Sequence, residues 1–241
     1  MLLKIGYIGL TILMIIIITV MGKEVIDKTV ADKNTRTKKL LFLISGLVIW
    51  QVYQLAIGAS GILTDFSFPP RFMLLLVLPA FVFTGIFLRT NRNKAWVMEV
   101  PESWLSYVQS FRILVETLFV YSVAAGVLHP IVTIEGCNYD MIFGASAIVI
   151  WLLVYKLNIL SRKIVLLWNY LGLAVLASVI FLFVSSVYFP QLYGLSEMMP
   201  KAFATAPFVL VAGFLMPSAV FIHVLSIIQL SKKINSNNYE K

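Results

Sequence analysis

Apolar residues in this chain come in long blocks, not at the amphipathic spacing of a soluble fold. Seven blocks separate, at 4–22, 39–59, 72–90, 104–128, 139–157, 163–188 and 203–230, and most are nearly free of charge. Blocks of this length read as transmembrane helices. At about 1.5 Å per residue each spans about 30 Å of hydrocarbon. The pattern predicts an all-α polytopic membrane protein with seven transmembrane helices. They form one domain over 1–230, followed by a polar tail, SKKINSNNYEK, over 231–241 that is expected to be disordered. The first block is too long for a signal-peptide core and no A-x-A-like cleavage site follows it, so it reads as a retained span.

Composition agrees. The 241 residues are 60% hydrophobic and 12% charged, against about 25% charged in a soluble domain. The net charge of +8 encodes orientation here and does not point to nucleic acid. Lys23, Lys28, Lys33, Arg36, Lys38, Lys39, Arg89, Arg92, Lys94, Lys156, Arg162, Lys163, Lys232, Lys233 and Lys241 fall on one side of a seven-span chain. Lys4, Arg71 and Lys201 fall on the other. The positive-inside rule then puts the N-terminus outside and the C-terminus in the cytoplasm. The expected location is the inner (plasma) membrane of a bacterium. Arg112 is the one basic residue left inside a span.

Spans one to three and five to seven run in the same direction, which suggests a 3+1+3 repeat. Span three reads PPRFMLLLVLPAFVF and span seven reads APFVLVAGFLMPSAVF, each with a Pro at its entry and a second Pro farther in. The order of spans resembles the topology of the sugar-efflux and PQ-loop transporters. Their Pro-Gln signature is missing from the expected ends, and Pro190-Gln191 falls in an outer loop.

Candidate chemistry sits in span four, QSFRILVE. Gln109, Arg112 and Glu116 form one stripe, and Arg112 and Glu116 are within reach of each other across one helical turn. Charges at membrane depth usually pair, and they face a bundle interior or a watery cavity. Counting from the cytoplasmic end, Arg112 lies about 12 Å in and Glu116 about 18 Å in. Asn169 in span six, His223 in span seven and Gln51 in span two come to similar depth. The binding residues expected are therefore Arg112, Glu116, Gln109, Asn169, His223 and Gln51. The same set reads equally well as polar glue between helices. His223 alone, and Asn169 in WNYLG, suit packing. In the outer loop LHPIVTIEGCNYD, Asn138 or Asp140 reads as the cap of span five. A cation site built on His129, Glu135, Asn138 and Asp140 has no recognised spacing.

Several classes are excluded. One Cys and two His leave no Cys/His zinc set, and there is no H-E-x-x-H and no P-loop. His129 and His223 fall on opposite sides of the midplane, so they do not make a haem pair. Ser226, one turn from His223, is a thin basis for nucleophilic chemistry. No cofactor or metal is expected, and an enzyme is less favoured than a non-enzyme.

The leading expectation is a small transporter or permease-like protein with an Arg–Glu centred site. Its partners would be the lipid bilayer and a small polar or anionic ligand. The alternative is a sensor or interaction subunit with a membrane-protein partner, in which the buried network is structural. A third is an intramembrane enzyme on a lipid, with Arg112 holding a phosphate.

Overall fold

The structure, a computed structural model, describes residues 1–194 and 199–239. Among these residues it is all-helical, with no strand. Five helices are long and apolar enough to cross a membrane: Leu2–Thr29, Lys33–Ala59, Met73–Asn91, Arg162–Tyr188 and Val211–Asn235.

The fourth and fifth expected spans are interrupted. The fourth begins after Pro101 as α5 (Glu102–Tyr107), passes through a 3-10 turn (Val108–Ser110) and continues as α6 (Phe111–Ala124). It was expected to run to 128, but Gly126 stops it. Gly126 adopts φ +68. Its N–H bonds Val123 O at 2.9 Å, and the Val127 N–H bonds Ser122 O at 2.8 Å. That is a Schellman cap with glycine at the left-handed position. The fifth expected span is α7 (Asp140–Trp151), followed by a π-helical turn (Leu152–Lys156).

The residues group into two compact units, 1–101 with 204–217 and 102–203 with 218–241. In the first, α1 (Leu2–Thr29) turns into α2 (Lys33–Ala59) through Asp32. The Asp32 carboxylate accepts from Thr35 Oγ1 at 2.6 Å and from Thr35 N at 2.8 Å. Both bonds hold its carboxyl below the usual carboxylate value, the hydroxyl most strongly. The cap is thus fully present above the ordinary carboxylate range and is lost as pH falls through the lowered value. Protection of the Thr35 amide, measured against its intrinsic exchange rate at each pH, is expected to fall in acid, and Asp32→Ala should show the lower protection at neutral pH as well. Equal protection in both proteins at neutral pH would rule this cap out.

The rest of the first unit repeats one device. A π-helical turn (Met73–Val77) leads into α3 (Leu78–Asn91), with Pro79 just inside. A second π-helical turn (Val211–Leu215) is followed by Met216 and Pro217. Proline has no N–H and crowds the carbonyl four residues back. Those carbonyls are Leu75 O and Gly213 O. Tyr53 OH donates to Leu75 O and Trp50 Nε1–H donates to Gly213 O, each at 2.8 Å. Both donors lie on α2, and their rings stack at 5.2 Å. Neighbouring side chains can re-satisfy a helix broken by proline in this way. The likeness of the two proline-containing spans in sequence is therefore matched by a likeness in local structure. A short α4 (Trp96–Glu99) packs on α1.

In the second unit, α5, α6 and α7 pack together with α8 (Arg162–Tyr188). The last helix, α9, covers Met216–Tyr239 and enters this unit at Ser218. Helix thus continues to Tyr239, through most of the tail expected to be disordered. A physical reason is the Glu102 carboxylate, which is within 2.5 Å of Lys233 Nζ and 3.1 Å of Arg162 Nε. It ties the start of α5 to the start of α8 and to α9. Beside it Val154, Val165 and Leu230 form a small apolar core. The final two residues of the tail lie outside the described ones.

Candidate functional site

The second unit encloses a guanidinium. Arg112, on the first turn of α6, is 1% exposed. Its expected partner was Glu116. The structure gives it Asp140 instead. Arg112 Nε donates to Asp140 Oδ2 at 3.0 Å, and Nη2 donates to Asp140 Oδ1. Two parallel bonds of this kind fix a carboxylate in direction as well as distance. The guanidinium carbon lies 4.7 Å from the centre of the Phe143 ring, and Phe143 stacks on Trp168 at 4.9 Å. Charge over a ring face adds attraction where water is absent.

The remaining polar groups follow in order. Arg112 Nη1 meets His223 Nε2 at 3.2 Å, and His223 Nδ1 meets Asn169 Oδ1 at 2.8 Å. Asn169 Nδ2 donates to Val165 O at 2.7 Å and to Ser226 Oγ at 3.0 Å. Those two bonds fix the amide, so Asn169 turns its oxygen toward the imidazole. His223 must then carry its proton on Nδ1, leaving the Nε2 lone pair to accept from Arg112. A second proton on Nε2 would point N–H at N–H. Ser226 serves Asn169 and not His223, so no Ser–His pair for nucleophilic chemistry forms here.

Helices come close to admit this arrangement. A Cβ on Gly172 of α8 would collide with the His223 ring and lie 2.8 Å from Phe143. A Cβ on Gly144 of α7 would lie 3.0 Å from Arg112 Cβ. Small residues at such crossings permit the contact.

Glu116 is also 1% exposed. One of its oxygens accepts from Asn138 Nδ2 at 2.6 Å. Its Oε2 is buried and has no hydrogen-bond partner among the described residues. Asn138 also donates to Val132 O at 3.0 Å and accepts from Asp140 N at 3.0 Å through Oδ1. One asparagine therefore positions both carboxylates.

Asn138 and Val132 come from the 125–139 loop, which the sequence offered only as an outer loop with a cap. The loop turns back on itself, held by Cys137 N to Ile131 O at 2.9 Å and Asn138 N to Thr133 O at 3.1 Å. His129 Nδ1 accepts from Ile131 N at 3.2 Å. Val132, Thr133 and Asn138 are buried. Non-helical backbone at this depth in a protein is tolerated when protein surrounds it and its polar groups are paired. The cap position of α7 is Tyr139, not Asn138 or Asp140, although the Asn138 side chain accepts from the first N–H of the helix. The cap reading missed that Asp140 is the buried partner of Arg112.

Of the six expected residues, Arg112, Asn169 and His223 join in one hydrogen-bonded chain. Glu116 is linked to that chain through Asn138 and Asp140. Gln109 is buried and donates to Ala219 O at 2.9 Å. Gln51 belongs to the first unit, where its Oε1 accepts from Gln54 Nε2 at 3.2 Å. No group of His, Cys, Asp and Glu suited to a metal occurs among the described residues. Sequence reasoning named Asn138 and Asp140 only as a cap or a weak cation set, and did not name Phe143. The usable signal was charge: a buried Arg needs a carboxylate, and Asp140 heads an apolar run.

No protein family, curated protein or solved structure matches this chain.

Proposed function

We propose that this membrane protein is a proton-linked permease for a small polar or anionic solute, with Glu116 as the proton-carrying group. One observation carries the reading. The network holds one guanidinium and two buried carboxylates, and the bidentate pair of Arg112 goes to Asp140. That leaves Glu116 in charge range of Arg112 but not bonded to it, with one oxygen unpartnered among the described residues. A buried carboxylate in that position takes a proton or a cation. Ionisable groups within membrane spans commonly mark proton relays in transporters. Seven spans, an outer N-terminus and a cytoplasmic C-terminus in the plasma membrane belong to this proposal, supported by the side-sorting of Lys and Arg. So does the 3+1+3 repeat, supported by the two matching proline breaks.

A second reading has an observation of its own. The tight approach of Gly144 and Gly172 to Arg112 and His223 suits a network that only locks helices for a partner protein to recognise. We set the lipid-phosphate reading aside, because the guanidinium that would hold the phosphate is already paired with Asp140.

The test is Glu116→Gln in proteoliposomes loaded with a pH-sensitive dye. Amino acids, sugars and short carboxylic acids are added in turn. The expected result is a solute-evoked pH change in the wild type that disappears in the variant, while thermal unfolding stays within a few degrees. Solute-evoked proton movement that survives in the variant, or none in the wild type, rejects the permease reading in favour of the structural one.

A further inference from the structure

We propose that the first unit binds a small uncharged molecule through a hydroxyl or carboxamide group, using Gln51 and Gln54 of α2. This goes beyond the reading of Glu116 and concerns other residues. On two successive turns α2 carries four side chains able to hydrogen-bond: Trp50, Gln51, Tyr53 and Gln54. Trp50 and Tyr53 are occupied by the carbonyls at the two proline breaks. Gln51 and Gln54 share one bond between them. That leaves a donor, Gln51 Nε2, and an acceptor, Gln54 Oε1, both buried and unpartnered among the described residues. Gln54 is 0% exposed and Gln51 is 8% exposed.

An unpaired buried polar group costs about 1–3 kcal/mol. Two of opposite kind on one pair of side chains ask for a group that both gives and accepts a hydrogen bond. A hydroxyl does so, and so does a carboxamide. Neither amide carries charge, so neither would repay the desolvation of an ion.

The surroundings suit a ligand that enters by local opening. The π-helical turns Met73–Val77 and Val211–Leu215 pack against each other. They meet at Gly213, where a Cβ would lie 2.6 Å from Leu76 Cδ1 and 2.8 Å from Gln54 Cδ. Any side chain there would push against the Gln54 amide. Both turns sit beside prolines, where side-chain bonds from Tyr53 and Trp50 stand in for regular backbone bonds. Pi-helical turns inside α-helices are frequent at functional sites. Substrate sites of many transporters lie at such broken helices.

The full-length protein in detergent is titrated with myo-inositol, for the hydroxyl arm, and with propionamide, for the amide arm. Tryptophan emission and the unfolding temperature are read together. No proton gradient is present, so the outcome is independent of Glu116. One probe is expected to give a saturable emission change and a rise in unfolding temperature. Gln51→Leu and Gln54→Leu, made separately, are each expected to weaken that binding at least tenfold. If one variant fails to fold, the other decides. A change that saturates for neither probe, or a folded glutamine variant that binds as the wild type does, overturns the proposal.

Discussion

Asp140→Asn is expected to lose about 3–5 kcal/mol of stability, the usual cost of removing one partner from a buried ion pair. Asparagine keeps the shape of the side chain but not its charge. Arg112 would remain 1% exposed with its bidentate partner gone, left with His223, the Phe143 ring and the unbonded charge of Glu116. The variant should accumulate poorly in membranes and should unfold far below the wild type after extraction. The informative control is the double replacement Arg112→Met with Asp140→Leu. Removing both charges relieves the penalty, so most of the lost stability should return. Glu116→Gln gives the contrast. An amide can replace a carboxyl group that accepts from Asn138, and its effect on stability should stay within about 1 kcal/mol. If Asp140→Asn is as stable as the wild type, Arg112 draws its stabilisation from another group.

Gly136→Ala is expected to be the most damaging change that adds a single methyl. A Cβ there would lie 2.5 Å from Ile131 Cα and 2.7 Å from Ile131 C. These are backbone atoms, and no rotamer change relieves them. Inserting a methylene into a close-packed site costs about 1–3 kcal/mol, and this one should reach the upper end. The loop would have to open where Cys137 N bonds Ile131 O. Asn138 follows directly, so both carboxylates lose their shared positioner. Cys137 is the only thiol of the chain and is exposed. Its reaction rate with a membrane-impermeant maleimide reports on the loop without further engineering. The variant should label with a changed rate and lose solute-evoked proton movement. In the wild type, labelling from the outer face is also required by the proposed orientation. A variant with wild-type labelling and stability would show that the loop does not need the close approach.

The helical class and the membrane-crossing character were legible because apolar blocks carry them directly. Two expected spans look weaker as structure for a local reason. Gly126 ends α6 early, and hydropathy does not record a left-handed cap. The site was half legible. Arg112, Asn169 and His223 could be picked out as polar groups at a shared depth. Their order could not, because it depends on helix rotation. Asp140 was hidden by its position after a polar loop, where a cap is the ordinary role for an acid. Only the folding of 125–139 back along α6 brings it to Arg112. Gln51 lies in the first unit, where its bond goes to Gln54, and depth alone did not foretell that partner. The two inner prolines were visible in the sequence, but nothing there marked Trp50 and Tyr53 as the donors that answer the freed carbonyls one for one.

The pairing of Arg112 also bears on how the chain is made. Asp140 lies 28 residues downstream of Arg112. In the proposed seven-span arrangement, the stretch around Arg112 therefore leaves the ribosome while Asp140, already joined to the chain, is still enclosed in it. Glu116, one turn away on the same helix, is the acid present at that moment. It can escort the guanidinium during insertion and release it when the loop arrives. The carboxylate that lets Arg112 enter the membrane is then a different one from the carboxylate that keeps it there.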